Sequence, residues 1–130
     1  MSQFGDVMEL LAQTEYCNKW SFKKVIYYFG MPLVEDQSIL FYRGKSLRAV
    51  CNYALVSDAD LEALVSGDLR VSDTGWKTGS NLFFSDFVCV DNTREVIRSI
   101  QRTVAAELGD GTVGHWYRPL AERNGYAVAR

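Results

Sequence analysis

Apolar residues recur along this chain with two different periods. Phe4, Val7, Met8 and Leu11 fall at i, i+3, i+4 and i+7, which puts them on one stripe of a short amphipathic helix. Phe22, Val25, Ile26 and Phe29 repeat that spacing. Ser21 before them is a natural N-cap, Gly30 the expected stop, and Pro32 lies just beyond. The connection between these two helices reads Thr14-Glu15-Tyr16-Cys17-Asn18-Lys19-Trp20. After it the pattern changes. Residues 38–43, "SILFYR", read as a strand, Gly44-Lys45 as a tight turn, and residues 46–57, "SLRAVCNYALVS", as a longer partner strand. Poor alternation in "AVCNYALV" predicts burial on both faces of the sheet.

The second half continues in the same terms. Ser57 caps a short helix with Leu61, Leu64 and Val65 inward and Gly67 as its stop. Residues 67–81 are rich in Gly, Ser, Asp and Thr and read as a loop, with Trp76 its one large apolar residue. Residues 81–90, "NLFFSDFVCV", are so apolar that they predict a central strand. Asn92 and Glu95 resemble a capping box. Val96, Ile97, Ile100, Val104 and Leu108 then mark a longer helix ended by Gly109. "TVGHWYR" is strand-like, "PLAERN" a short helical turn and "GYAVAR" a last strand. The order α-α-β-β-α-β-α-β-α-β predicts an α+β fold whose sheet begins with an antiparallel hairpin. A long helix after the third strand gives it a GNAT-like (N-acetyltransferase-like) layout, with residues 1–130 as a single domain.

Composition narrows the function classes. The chain has 130 residues, 48% of them hydrophobic, enough for a real core. Fourteen Lys+Arg stand against 16 Asp+Glu, a net charge of −2, which argues against non-specific nucleic-acid binding. No apolar run is long enough to cross a bilayer, and no positively charged leader opens the chain. Cys17, Cys51 and Cys89 lack metal-ligand spacing, and His115 is the single histidine, so no metal site is expected. An odd number of cysteines without a secretory signal points to reduced thiols in a cytoplasmic protein.

Few residues can carry chemistry. Asp86 sits in a strand otherwise aromatic and aliphatic. A carboxylate buried there needs a partner. It either pairs with an arginine, points to solvent, or stands at a cleft where it orients or tunes a catalytic base. Asn52, mid-strand, needs hydrogen-bond partners and could hold a loop or polarise a substrate carbonyl. Trp20 and Trp76 read first as packing residues and then as walls of a site. His115, beside Gly114 and Trp116, is structural or a relocated base. In a GNAT-like fold a Gly-rich loop between the central strand and the next helix binds the pyrophosphate of CoA. Here that stretch is "CVDNTREV", with no glycine and an acid, Asp91, that would oppose a pyrophosphate.

Three blocks, in order, resemble the toxin-activating lysine acyltransferases that mature haemolysin-type RTX protoxins. "CNKW" leads through "SFKKVIYYFG" into "MPLV"; "ILFYRGKSLRAVCNYALVS" follows as a hairpin with Asn52-Tyr53-Ala54 at its characteristic step; then come "SDTGWKTGS" and "NLFFSDFVCV". The match covers roughly residues 14–90. The resemblance implies a GNAT-like fold, often a homodimer, and transfer of a fatty acyl group from acyl carrier protein to a lysine of a protein substrate, with no bound cofactor. It also implies a catalytic His–Asp pair. Asp86 matches the family's Asp; Cys17 stands where the family has its His, and Thr14 where it has a nearby Ser.

A neutral imidazole can take a proton from a lysine ammonium near pH 7, whereas a thiol is ordinarily protonated there. Three readings follow for Cys17. It is a thiolate nucleophile of lowered pKa, with Lys19 assisting; another group such as His115 supplies the base; or catalysis is lost and the fold binds a host or partner protein. A further alternative is an acetyl-CoA-dependent acetyltransferase. In the leading reading Asp86 orients, Cys17 occupies the base or nucleophile position, Thr14 and Asn52 give polar support, and Trp20 and Trp76 form walls.

Overall fold

The helical and strand periods of the sequence reappear in a computed structural model that describes residues 3–118 and 123–128. The elements are α1 (Gln3–Ala12), α2 (Phe22–Val25), a π-helical turn (Ile26–Gly30), α3 (Met31–Val34), β1 (Ser38–Arg43), β2 (Ser46–Val56), α4 (Asp58–Ser66), α5 (Val71–Thr74), β3 (Asn81–Cys89), α6 (Thr93–Leu108), β4 (Val113–Arg118) and β5 (Arg123–Val128). The five strands form one sheet in the order β1-β2-β3-β4-β5, with β3 in the middle as its apolar content predicts. β1 and β2 pair antiparallel, β3 and β4 parallel, β4 and β5 antiparallel. The fold is mixed α+β, a mostly antiparallel sheet flanked by helices, consistent with the GNAT-like layout.

The chain divides into two compact units. The first comprises Met1–Asn52 and Asp86–Ile100. Its core is Val7, Leu10, Leu11, Phe29, Leu47, Val50 and Val88, so the i, i+3, i+4 stripe of α1 packs with inward residues of the second helical segment and the strands. Ser21 caps α2, its side chain accepting from the Lys24 amide at 3.1 Å. One boundary differs from expectation. Gly30 does not end the helix: it keeps right-handed helical angles, and the helical path continues to Val34. The reason is Pro32. The path widens to a π-turn, the Met31 amide bonding back to the Ile26 carbonyl, and Pro32 then falls in the first turn of α3, where a missing N–H is tolerated.

The second unit comprises Tyr53–Ser85 and Gln101–Arg130. Ser57 caps α4, accepting from the Asp60 amide at 3.2 Å, and Gly67 ends it at φ +82°. The loop expected at residues 67–81 contains the single turn of α5, then an extended piece whose backbone bonds Leu55 on β2, from the Leu55 amide to the Trp76 carbonyl at 2.9 Å and from the Thr78 amide to the Leu55 carbonyl at 2.8 Å. Gly79 is required there, since a Cβ would lie 2.5 Å from the Val56 and Ser57 backbone. The helical turn expected in "PLAERN" falls partly outside the described residues; Arg123 and Asn124 belong to β5, which starts before "GYAVAR" and pairs with β4. Among the described residues no helix is long and apolar enough to cross a membrane.

Candidate functional site

The site in the first unit is built where the α1–α2 connection meets β3. Thr14 shapes the exit from α1: its hydroxyl donates to the Leu11 carbonyl at 3.2 Å and accepts from the Tyr16 amide at 3.3 Å. That turn presents Tyr16 and Cys17. The Tyr16 hydroxyl donates to Oδ1 of Asp86 at 2.8 Å, across 70 residues of sequence. Asp86 itself is only 7% exposed. Its negative charge acts on three protic side chains, Tyr16, Cys17 and Cys51. Burial, the Asp86 charge and the hydrogen bond together push the Tyr16 phenol far above its ordinary range.

Cys17 is half-buried, packed against the unit's core. Burial first, and the Asp86 charge second, push its thiol up to about 11, with Lys24 opposing. The shift runs away from a thiolate. The cation that acts on the thiol is Lys24, five residues after the Lys19 expected from the sequence. Lys24 Nζ lies 4.1 Å from the Trp20 ring centroid. The Trp20 ring is packed in turn against Tyr16, Tyr28 and Phe29 at centroid distances of 5.6, 5.8 and 5.9 Å. Trp20 therefore joins the connection to the core beside Cys17.

Asn52 is completely buried, and its polar atoms are used within the fold. Nδ2 donates to the Tyr28 carbonyl at 2.9 Å, and Oδ1 accepts from the Ser38 hydroxyl at 2.7 Å. Pro32, four residues after Tyr28, has no N–H to offer that carbonyl, and Asn52 provides one instead. Trp76 and His115 belong to the second unit. Trp76 is buried there. His115 is half-buried in β4, opposite Phe83 of β3 and Tyr126 of β5.

The stretch where a GNAT-like fold would cradle a pyrophosphate is occupied by the protein's own groups. The Asn92 amide donates to Oδ1 of Asp91 at 2.6 Å, and the Glu95 amide donates to Oδ1 of Asn92 at 3.1 Å. Arg43 grips Asp91 through two contacts of 3.0 Å, and Arg48 adds a third at 3.3 Å. The bidentate Arg43 contact holds the Asp91 carboxyl well below the usual carboxylate range, so it remains a fixed negative charge. These residues do not fit an incoming pyrophosphate. Among the described residues no group of three His, Cys, Asp or Glu gathers that could hold a metal ion.

Sequence reasoning missed Tyr16. Its only signal was adjacency to Cys17, because nothing in a linear reading pairs a tyrosine with a carboxylate on a distant strand.

The mixed sheet, with a buried carboxylate on its central strand beside a helix connection that ends in Trp, is consistent with a GNAT-like fold. Residues 1–111 match the RTX toxin acyltransferase family, and the chain belongs to that family. It is also similar to the lysine-acyltransferase RtxC of Vibrio cholerae serotype O1, with 27% identity over 77 residues, covering 57% of this chain and 50% of that protein. The chain thus spans about half the length of the curated relative it matches.

Proposed function

We propose that this protein is a cytoplasmic protein-lysine acyltransferase that takes a fatty acyl group from acyl carrier protein. The observation that carries the reading is the buried Asp86 carboxylate facing the Tyr16–Cys17 turn. It is supported by membership of the RTX toxin acyltransferase family and by the motif resemblance, which implies a catalytic His–Asp pair with Asp86 as the Asp and Cys17 at the His position. The closed β3–α6 stretch supports a carrier-protein donor over CoA, since two of its amides and its acid already have partners.

In the proposed reaction the acceptor lysine's Nζ bonds to the thioester carbon, the carbon–sulfur bond breaks, and the carrier's thiol leaves. One proton must leave the ammonium before attack, and a second leaves Nζ as the amide forms and passes to the departing sulfur. Asp86 attracts the ammonium and takes the first proton, orienting Nζ toward the acyl carbon. Cys17 stands beside it as a neutral thiol: with its acidity pushed up to about 11, only about one molecule in 10,000 is a thiolate at pH 7. A neutral thiol is a poor nucleophile, which favours direct transfer over an acyl-Cys17 intermediate. Trp20 forms the wall behind the turn, Thr14 shapes the turn, and Asn52 supports the helical segment that carries Tyr28 and Phe29.

The test is mass spectrometry of a protein substrate after incubation with acyl carrier protein charged with a fatty acid. An acylated lysine is expected, and Cys17→Ala retains activity. An adduct on Cys17 that chases into product contradicts direct transfer. A second reading, a domain that binds a partner protein without catalysis, is favoured by the upward shift of the thiol at the family's histidine position. It predicts that Asp86→Asn leaves biological activity intact.

A further inference from the structure

We infer that Tyr16 is the positioning residue of the site, fixing Asp86 in place and preserving its charge for the transfer. This rests on the acyltransferase reading above. Tyr16 is held at three points. Its amide donates to Thr14, its ring contacts Trp20 and Phe29 at centroid distances of 5.6 and 6.3 Å, and its hydroxyl donates to Asp86 at 2.8 Å. Little freedom is left to lose when the carboxylate bond forms, so that bond is a strong restraint on Asp86. A carboxylate this deeply buried needs donors to stay ionised, and a donor directed at its charged form favours that form.

Tyr16 also reaches outward. It is 43% exposed where Asp86 is 7% exposed, so its ring spans from solvent to the carboxylate. Cys17 follows directly in the chain, and the Asp86 charge that Tyr16 holds also acts on its thiol. The phenol keeps its proton throughout the working range and serves as a donor, leaving proton acceptance to Asp86.

Tyr16→Phe isolates the bond, since it keeps the ring and removes only the hydroxyl. Two readouts are needed. The ¹³C carboxyl shift of Asp86, followed against pH, is expected to move its midpoint upward by about one pH unit. Turnover is expected to fall about tenfold, with KM for the acylated carrier little changed, as loss of orientation rather than of binding requires. If Tyr16→Phe does not fold, the wild-type hydroxyl proton decides. It should appear as a slowly exchanging resonance that disappears in Asp86→Asn, and its absence from the wild-type spectrum overturns the assignment. An unmoved Asp86 titration overturns it too, as does a rise in turnover, which would make Tyr16 a latch that blocks the carboxylate. A moved titration in a protein that transfers no acyl group contradicts the acyltransferase reading and upholds the hold of Tyr16 on Asp86.

Discussion

Asn52 completes the backbone of a helix it does not belong to: from the middle of β2 it supplies a hydrogen bond to the Tyr28 carbonyl at 2.9 Å, where Pro32 has none to give. The bond ties the π-turn to the sheet. Tyr28 and Phe29 in that turn pack against Trp20, so the strand indirectly supports the Cys17 connection. Asn52→Leu would leave the Tyr28 carbonyl and the Ser38 hydroxyl without this partner in a buried setting. Urea denaturation is expected to show a loss of about 2–3 kcal/mol. A change under about 0.5 kcal/mol would mean that the bond contributes nothing.

Cys17 should react as a buried-edge thiol. Its alkylation by iodoacetamide is expected to be slow at pH 7 and to rise toward a midpoint near 11. Asp86→Asn removes a negative charge that raises this value, so the midpoint should fall. The sign for stability follows. Cys17 binds its proton up to about 11 when folded and up to about 9 when unfolded. Between those values the unfolded chain holds fewer protons, and stability declines as pH rises. Tyr16 and Cys51, both shifted upward, extend the decline to higher pH. Stability rising with pH through that window would contradict the placement of these groups around Asp86.

The β3–α6 stretch predicts what the protein does not bind. Calorimetric titration with CoA is expected to give no saturable heat, because Asp91 holds its charge between Arg43 and Arg48 and bonds the Asn92 amide. Tight binding that is lost on adding pyrophosphate would show that this stretch opens after all.

Much of the fold was legible because local rules and tertiary packing agree. Ser21, Ser57 and Asn92 cap the helices they precede, and the apolar run around Asp86 is indeed the middle strand. The Gly30 boundary was missed because its propensity cue was local. Pro32 forced a wider turn, and a side chain on a distant strand made that turn affordable, which no window of the sequence contains. The site was legible in part for the same reason. Asp86 stands out as a carboxylate in an apolar strand, whereas Tyr16 matters only through a contact 70 residues away. Thr14 and Asn52 stand out as polar residues in the sequence, and the structure shows their side chains bonded to groups of the protein itself, contacts that lie beyond any local window for Asn52.

The most direct measurement is lysine acylation by wild type and Asp86→Asn under single-turnover conditions, with fatty acyl carrier protein as donor and the acylated peptide quantified by mass spectrometry. Wild type is expected to transfer the acyl group, and Asp86→Asn to be slower by a factor of about 10² or more, with its fold retained. Equal rates in the two proteins would contradict a role for Asp86 in the transfer.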